Sequence, residues 1–241
     1  MSKAKNLGSC RLCKKEGRLC YSHVFPEFFY EPTYDDSHRF ISISGHPLHN
    51  TKHLQKGFRE YLLCRDCETK FSVYEGYASK AIKKINDISI QGKRYIEIDL
   101  DYKLFKLFGL SLIWRCHISS NNMFTQVDLG KHAENIRKML INENPGHPNK
   151  YCILLIKVTE DMLQRTIVSP VRTRFLNHNA YTLLALGIRW ILTISSGSNN
   201  VPRDDRFLGM LPALRIPVMS GNLEQLINRI HKIEESKTRE A

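Results

Sequence analysis

Acidic side chains are the first thing in short supply. The 241 residues carry 24 Asp and Glu against 36 Lys and Arg, a formal net charge of +12 with histidine neutral. A surface biased in this way concentrates anions before any specific contact forms, so nucleic acid is the expected partner; a generally basic soluble protein is the plainer alternative. The excess is denser at the front, where residues 1–94 hold 17 basic and 10 acidic side chains. Long apolar runs are missing too. The longest, Tyr181 to Ile194, is interrupted by Arg189 and is shorter than the roughly 20 residues of a spanning helix, so no membrane segment is expected. The opening Met-Ser-Lys-Ala-Lys has no apolar stretch behind it, which argues against a secretory leader and for a reducing cytoplasm. Residues 95–241 contain no repeat, no glycine-rich phosphate loop and no nucleophile motif.

What is present is chemistry at the front and apolar periodicity throughout. Hydrophobic residues make up 42 % of the chain, enough for one large core or two smaller ones. Four of the seven cysteines fall in two tight pairs, Cys10-Arg-Leu-Cys13 and Cys64-Arg-Asp-Cys67. Each pair offers two thiolates on one turn, and together they supply the four soft ligands of a closed tetrahedral zinc site. Of the other three, Cys116 and Cys152 lie inside apolar runs and are expected as buried free thiols, while Cys20 lies closer to the site.

Between the pairs, Lys14 to Tyr21 reads as a turn followed by a short strand carrying Ser22 and His23, and Pro26 ends that strand because it has no ladder donor. Phe25, Phe28, Phe29 and Tyr30 are expected as apolar cover for the metal module, with base stacking as the other reading. Arg39 to Ser44 alternates and is expected as a strand. His46, His49 and His53 sit around Gly45 and Pro47 in a loop, exposed or ligating. After Cys67 the period changes: Phe71, Tyr74, Ala78, Ile82 and Ile85 recur at three and four residues, which predicts a helix from about Arg65 to Asn86 with the second cysteine pair in its first turn.

In the second half, 94–100 alternates as a strand and Tyr102 to Ser119 reads as a mostly buried helix, with Trp114, Arg115 and His117 as core residues with satisfied polar tips. A second helix is expected over 129–142 and strands over 151–158, 166–171 and 181–195, the last bent at Gly187. A loop over 195–205 and an amphipathic helix capped by Asn222 complete the chain. The expected class is α+β: a module over 1–90 and an α+β domain of unassigned role over 91–241, with a boundary near Asp87 to Arg94.

The front of the chain resembles the zinc-stabilised HNH, or His-Me finger, endonucleases over about residues 9–85. Cys10 and Cys13 match the family's first knuckle, His23 and Pro26 its His-x-x-Pro element, and Leu63, Cys64 and Cys67 its second knuckle. The resemblance implies a treble-clef fold with ββα-metal geometry, a structural Zn²⁺ on Cys10, Cys13, Cys64 and Cys67, and metal-dependent hydrolysis of DNA phosphodiesters. Restriction or defence against phage is the usual setting, and a protein partner or self-association is open. It makes His23 the base that deprotonates water, a task suited to an imidazole near neutral pH. It makes Glu68 a ligand of Mg²⁺ or another divalent ion, with Glu75 a second carboxylate on roughly the same helix face or a solvated charge. Two positions depart from the pattern. Ser22 stands where the family usually places an acidic or histidine ligand, and Asn50 fills the middle asparagine position without the following Leu. The alternative is a zinc-containing nucleic-acid-binding protein without catalysis.

Overall fold

The computed structural model describes residues 6–37, 39–42, 52–54, 57–195 and 205–219. Asn50, His46, His49 and the 223–233 stretch lie outside the described residues. The class is α+β.

The front of the chain forms a three-stranded antiparallel sheet, in the order β1 (Leu7–Ser9), β2 (Glu16–His23), β5 (Arg59–Cys64). A small ladder of β3 (Phe40–Ser42) and β4 (Lys52–Leu54) lies between β2 and β5 in sequence, in agreement with the alternation of 39–44. Pro26 caps a single turn, α1 (Glu27–Tyr30), where its missing N–H costs nothing. Strand β5 runs directly into α2 (Arg65–Asp87), whose buried face is Phe71, Tyr74, Ala78, Ile82 and Ile85, with Cys67 and Ala81 added.

The second half begins with β6 (Tyr95–Asp99) and α3 (Tyr102–Ile118), started by the Asp101 carboxylate accepting from the Leu104 N–H at 2.8 Å. Every residue from Phe105 to Cys116 is buried, because α3 lies between two layers, and a helix that is apolar all round belongs in such a place. On one side Trp114 meets Phe71 of α2, and Phe108 meets Phe28 and Phe29. On the other, Phe105 stacks on Trp190 of the sheet at 5.3 Å. Gly109 lets the helix settle there: a Cβ at that position would come within 2.5 Å of Ile153. Helix α4 (His132–Ile141) follows within the expected 129–142, and Arg137 reaches from it to the Leu12 carbonyl in the first cysteine turn.

The larger sheet has six strands, in the order β6, β11 (Ala213–Met219), β7 (Ile153–Val158), β10 (Ile188–Thr193), β9 (His178–Ala185), β8 (Val168–Phe175), with a one-turn helix α5 (Asp161–Gln164) after β7. All neighbours are antiparallel except β11 and β7. Two expectations change here, and one strand was not expected at all. The stretch from 181 to 195 is not one bent strand: the chain reverses at Leu186 and Gly187, both at positive φ (55 and 65°), and its two arms pair as a hairpin. The strand expected over 166–171 continues to Phe175 and reverses again at Leu176 and Asn177. Pro170 is tolerated there because β8 is an edge strand with a register shift between Val168 and Val171. Finally, β11 carries Pro217 and yet sits inside the sheet. It pairs with β6 up to Pro217 and with β7 from Val218, so the residue without an N–H stands where the pairing changes strands.

Residues 88–94 form a surface turn where the boundary was expected, but the largest cluster of buried side chains runs across it from Cys10 to Ile216. Lys157, buried in β7, donates to Asn86 at 2.9 Å and so ties the end of α2 to the larger sheet. Among the described residues no helix is long and apolar enough to cross a membrane.

Candidate metal centre and the histidine beside it

The four paired cysteines converge. Their sulfur atoms all lie within 4.8 Å of one another, and no other such group of three or more His, Cys, Asp or Glu exists among the described residues. The first pair sits on a turn in which Lys14 takes a positive φ of 65° and gives its N–H to the Cys10 carbonyl at 2.9 Å. The second pair begins α2, with Cys64 at the N-cap and Cys67 in the first turn. The Arg11 N–H bonds to the Leu62 carbonyl at 2.9 Å and brings the two turns together.

Geometry and protonation both fit a soft dication. Zinc–sulfur bonds of about 2.3 Å in a regular tetrahedron place the sulfurs about 3.8 Å apart, and Cys13 Sγ stands 3.7 Å from Cys64 Sγ. Burial works against a Cys10 thiolate, but N–H groups of Cys13, Cys64 and Leu12 outweigh it and hold its pKa down to about 7. Burial pushes Cys64 and Cys67 the other way, with Cys10 and Cys13 adding to the rise. The protein therefore favours the Cys10 thiolate unaided, whereas Cys64 and Cys67 need a cation to lose their protons. Cys116 and Cys152 are buried free thiols, as their apolar settings suggest, and Cys20 is half-buried outside the cluster.

His23 closes β2, opposite Arg59 of β5. Its Nε2 lies 2.7 Å from Glu27 Oε2 and 2.6 Å from Arg59 Nε. Both contacts cannot be hydrogen bonds at once, since Nε2 either gives a proton to Glu27 or takes one from Arg59. The Arg59 Nε–H, which always carries its proton, donates to Nε2 of the neutral ring, and Glu27 Oε2 then stands beside the ring without a hydrogen-bond donor while Oε1 accepts from the Tyr34 hydroxyl at 2.6 Å. Protonation of the ring would instead pair Nε2 with Glu27. Burial lowers the His23 pKa below 6.5, Arg59 lowers it further, and Glu27 and Glu75 only partly offset them.

Arg115 joins α3 to this region. It is 2 % exposed, and its Nη1 donates to the His23 carbonyl at 3.0 Å and to Glu75 Oε1 at 2.6 Å, while Nε donates to the Ser111 carbonyl at 3.3 Å. Glu75 is thus the partner of a buried guanidinium, neither a solvated charge nor a free carboxylate. Glu68 differs. Its Oε1 is buried without a hydrogen-bond partner, and burial raises its pKa although the Ser22 hydroxyl and Arg115 pull it down. An orphaned buried carboxylate oxygen suits a cation ligand. Ser22, 2 % exposed, turns its hydroxyl toward the Cys20 carbonyl at 3.3 Å and lies beside Glu68. Of the two tentative metal carboxylates, then, only Glu68 is available, and Glu68, Glu75 and His23 do not form a compact ligand cluster.

Phe25, Phe29 and Tyr30 are buried and Phe28 packs against the core, so the stacking reading of that cluster does not hold. Sequence reading passed over two groups that shape the site. Glu27 follows Pro26 directly, and a carboxylate four residues from a histidine across a single turn was the available signal. Arg115 carried no local signal, since its partners lie 40 and 92 positions away.

Comparison with the models of known protein families, with curated proteins and with solved structures finds no match.

Proposed function

We propose that the protein is a metal-dependent endonuclease of the HNH type, acting on DNA, with Cys10, Cys13, Cys64 and Cys67 holding a structural zinc. The observation that carries this reading is the state of His23. A half-buried imidazole sits at the end of the hairpin strand between the Glu27 carboxylate and the Arg59 guanidinium, and its pKa below 6.5 leaves the ring neutral and able to take a proton from water at pH 7. Tyr34 donates to Glu27 Oε1, and Glu27 Oε2, 2.7 Å from His23 Nε2, helps to orient the base. Glu68 is the residue that would hold a divalent ion, which supplies charge stabilisation at the scissile phosphate when bound. Arg115 fixes the backbone at His23 from the helix at the centre of the molecule, so the base is positioned by both halves of the chain.

A second reading, a zinc-bearing DNA-binding protein without catalysis, has one observation in its favour: Glu75 is committed to Arg115, which leaves a single carboxylate for a catalytic ion. Supercoiled plasmid separates the two. Purified wild-type protein with added Mg²⁺ or Mn²⁺ is expected to convert it to nicked circles. Binding that shifts the plasmid without any nicking, across both ions and a range of substrates, would establish the second reading instead.

A further inference from the structure

The sheet that carries His23 has an exposed aromatic pair on it. Tyr21 and Tyr61 face each other across β2 and β5, with ring centroids 5.1 Å apart and relative exposures of 57 % and 44 %. An unpaired tyrosine pair left in water is unusual in a chain that buries both of its tryptophans and most of its phenylalanines. A shift of register between Cys20 and Tyr21 puts them there: Leu19 is buried, whereas Tyr21 two residues later is exposed. Side chains two apart in a strand share a face, so Tyr21 leads to His23 and Tyr61 to Arg59. The tyrosines therefore stand two positions along the ladder from the imidazole, with the Ser22 and Glu60 pair between them.

The surroundings are basic. Exposed Arg18 lies on the same strand as Tyr21, and exposed Arg65 follows β5 directly. Arg11 is drawn to the neighbour of Tyr61 by its bond to the Leu62 carbonyl. Across the knuckle and hairpin, Arg11, Lys14, Lys15, Arg18 and Arg65 are exposed against Glu16 and Asp66. Glu60, between Arg59 and Tyr61, keeps its negative charge but directs its carboxylate to the Ser119, Ser120 and Asn121 donors, on the side of the strand away from the tyrosines. Aromatic rings in a positive field bind unpaired nucleotides, because every base offers a face to stack on and a phosphate to neutralise; paired bases in a duplex are already stacked on each other.

We infer that Tyr21 and Tyr61 form a stacking platform for unpaired bases of DNA, which holds a single-stranded or locally opened segment beside His23. The inference rests on the nuclease reading for its choice of DNA and names the substrate form of that site. Both rings are exposed, so their removal leaves the core and the four cysteines untouched.

The test is binding, measured by fluorescence anisotropy with a labelled oligodeoxythymidine and with a labelled duplex of equal length, in buffer without added Mg²⁺ or Mn²⁺. The wild type is expected to prefer the single strand. Tyr21→Ala with Tyr61→Ala is expected to weaken single-strand binding about tenfold or more and duplex binding less than twofold, while Tyr21→Phe with Tyr61→Phe keeps both. Circular dichroism and zinc content verify that the variants fold. Unchanged single-strand affinity in the folded Ala variant, or an equal loss on both substrates, would overturn the platform. Because no cutting is measured, a protein that stacks single strands but never nicks DNA refutes the nuclease reading and leaves the platform standing.

Discussion

Cys64→Ser is expected to empty the metal centre and unfold the front of the molecule. Wild-type protein should carry about one zinc per chain, and the variant close to none. Structural zinc contributes about 10–16 kcal/mol in small zinc-dependent modules, as much as the whole stability of an ordinary domain, so the loss cannot be absorbed locally. Cys64 starts α2 and lies 3.7 Å from Cys13, so it couples the two turns directly. Its removal also leaves Cys67 as a buried thiol without the cation that ionises it. Amide hydrogen exchange should show loss of protection over 6–87 first, and the damage should spread, because the core continues into α3. Cys20→Ser is the control: it lies outside the cluster and should keep its zinc. Full zinc retention in Cys64→Ser would rule out a site built from all four cysteines.

His23→Ala is expected to slow nicking by about 10² to 10⁴-fold, the usual consequence of losing a positioned base, or roughly 3–5 kcal/mol of barrier. Little else should change. The zinc ligands are elsewhere, and Arg115 bonds to the backbone carbonyl at this position, which alanine retains. Arg59 Nη2 already stands 3.6 Å from Glu27 Oε2, and with the imidazole gone the two charges can pair. The variant should therefore bind DNA within a few-fold of the wild type. A variant that cuts as fast as the wild type would remove His23 from catalysis, whatever becomes of the zinc.

The parts of this structure that could be read in the sequence are those in which neighbours along the chain decide the outcome. Helix α2 was readable because Phe71, Tyr74, Ala78, Ile82 and Ile85 repeat with the helical period and all five are buried. The cysteine pairs were readable because two thiolates on one turn have few other uses. Strand β11 was not, since Pro217 argues against a central strand until its two partners are known to meet there. The turn at Leu186 and Gly187 was blurred because a buried hairpin has apolar residues on both arms and one at its tip. At the site, Ser22 and His23 were placed correctly on a strand, but the three relations that give His23 its character depend on tertiary contact: Glu27 through α1, Arg59 through the β2–β5 register, and Arg115 from α3. The tyrosine platform depends on a register shift that no periodicity announces.

The central claim, that neutral His23 takes the proton from water, is tested most directly by the rate of nicking as a function of pH, with Mn²⁺ or Mg²⁺ held saturating. Burial and Arg59 disfavour the imidazolium, so the folded pKa lies below 6.5 and the working, neutral form persists to lower pH than in a free histidine. The same shift adds stability that is fully present above pH 6.5 and fades as the pH falls through the folded value. The rate should be level around neutrality and fall on a one-proton acid limb whose midpoint is below 6.5, and the residual rate of His23→Ala should lack that limb. A midpoint above 7, or the same limb in His23→Ala, would contradict the account.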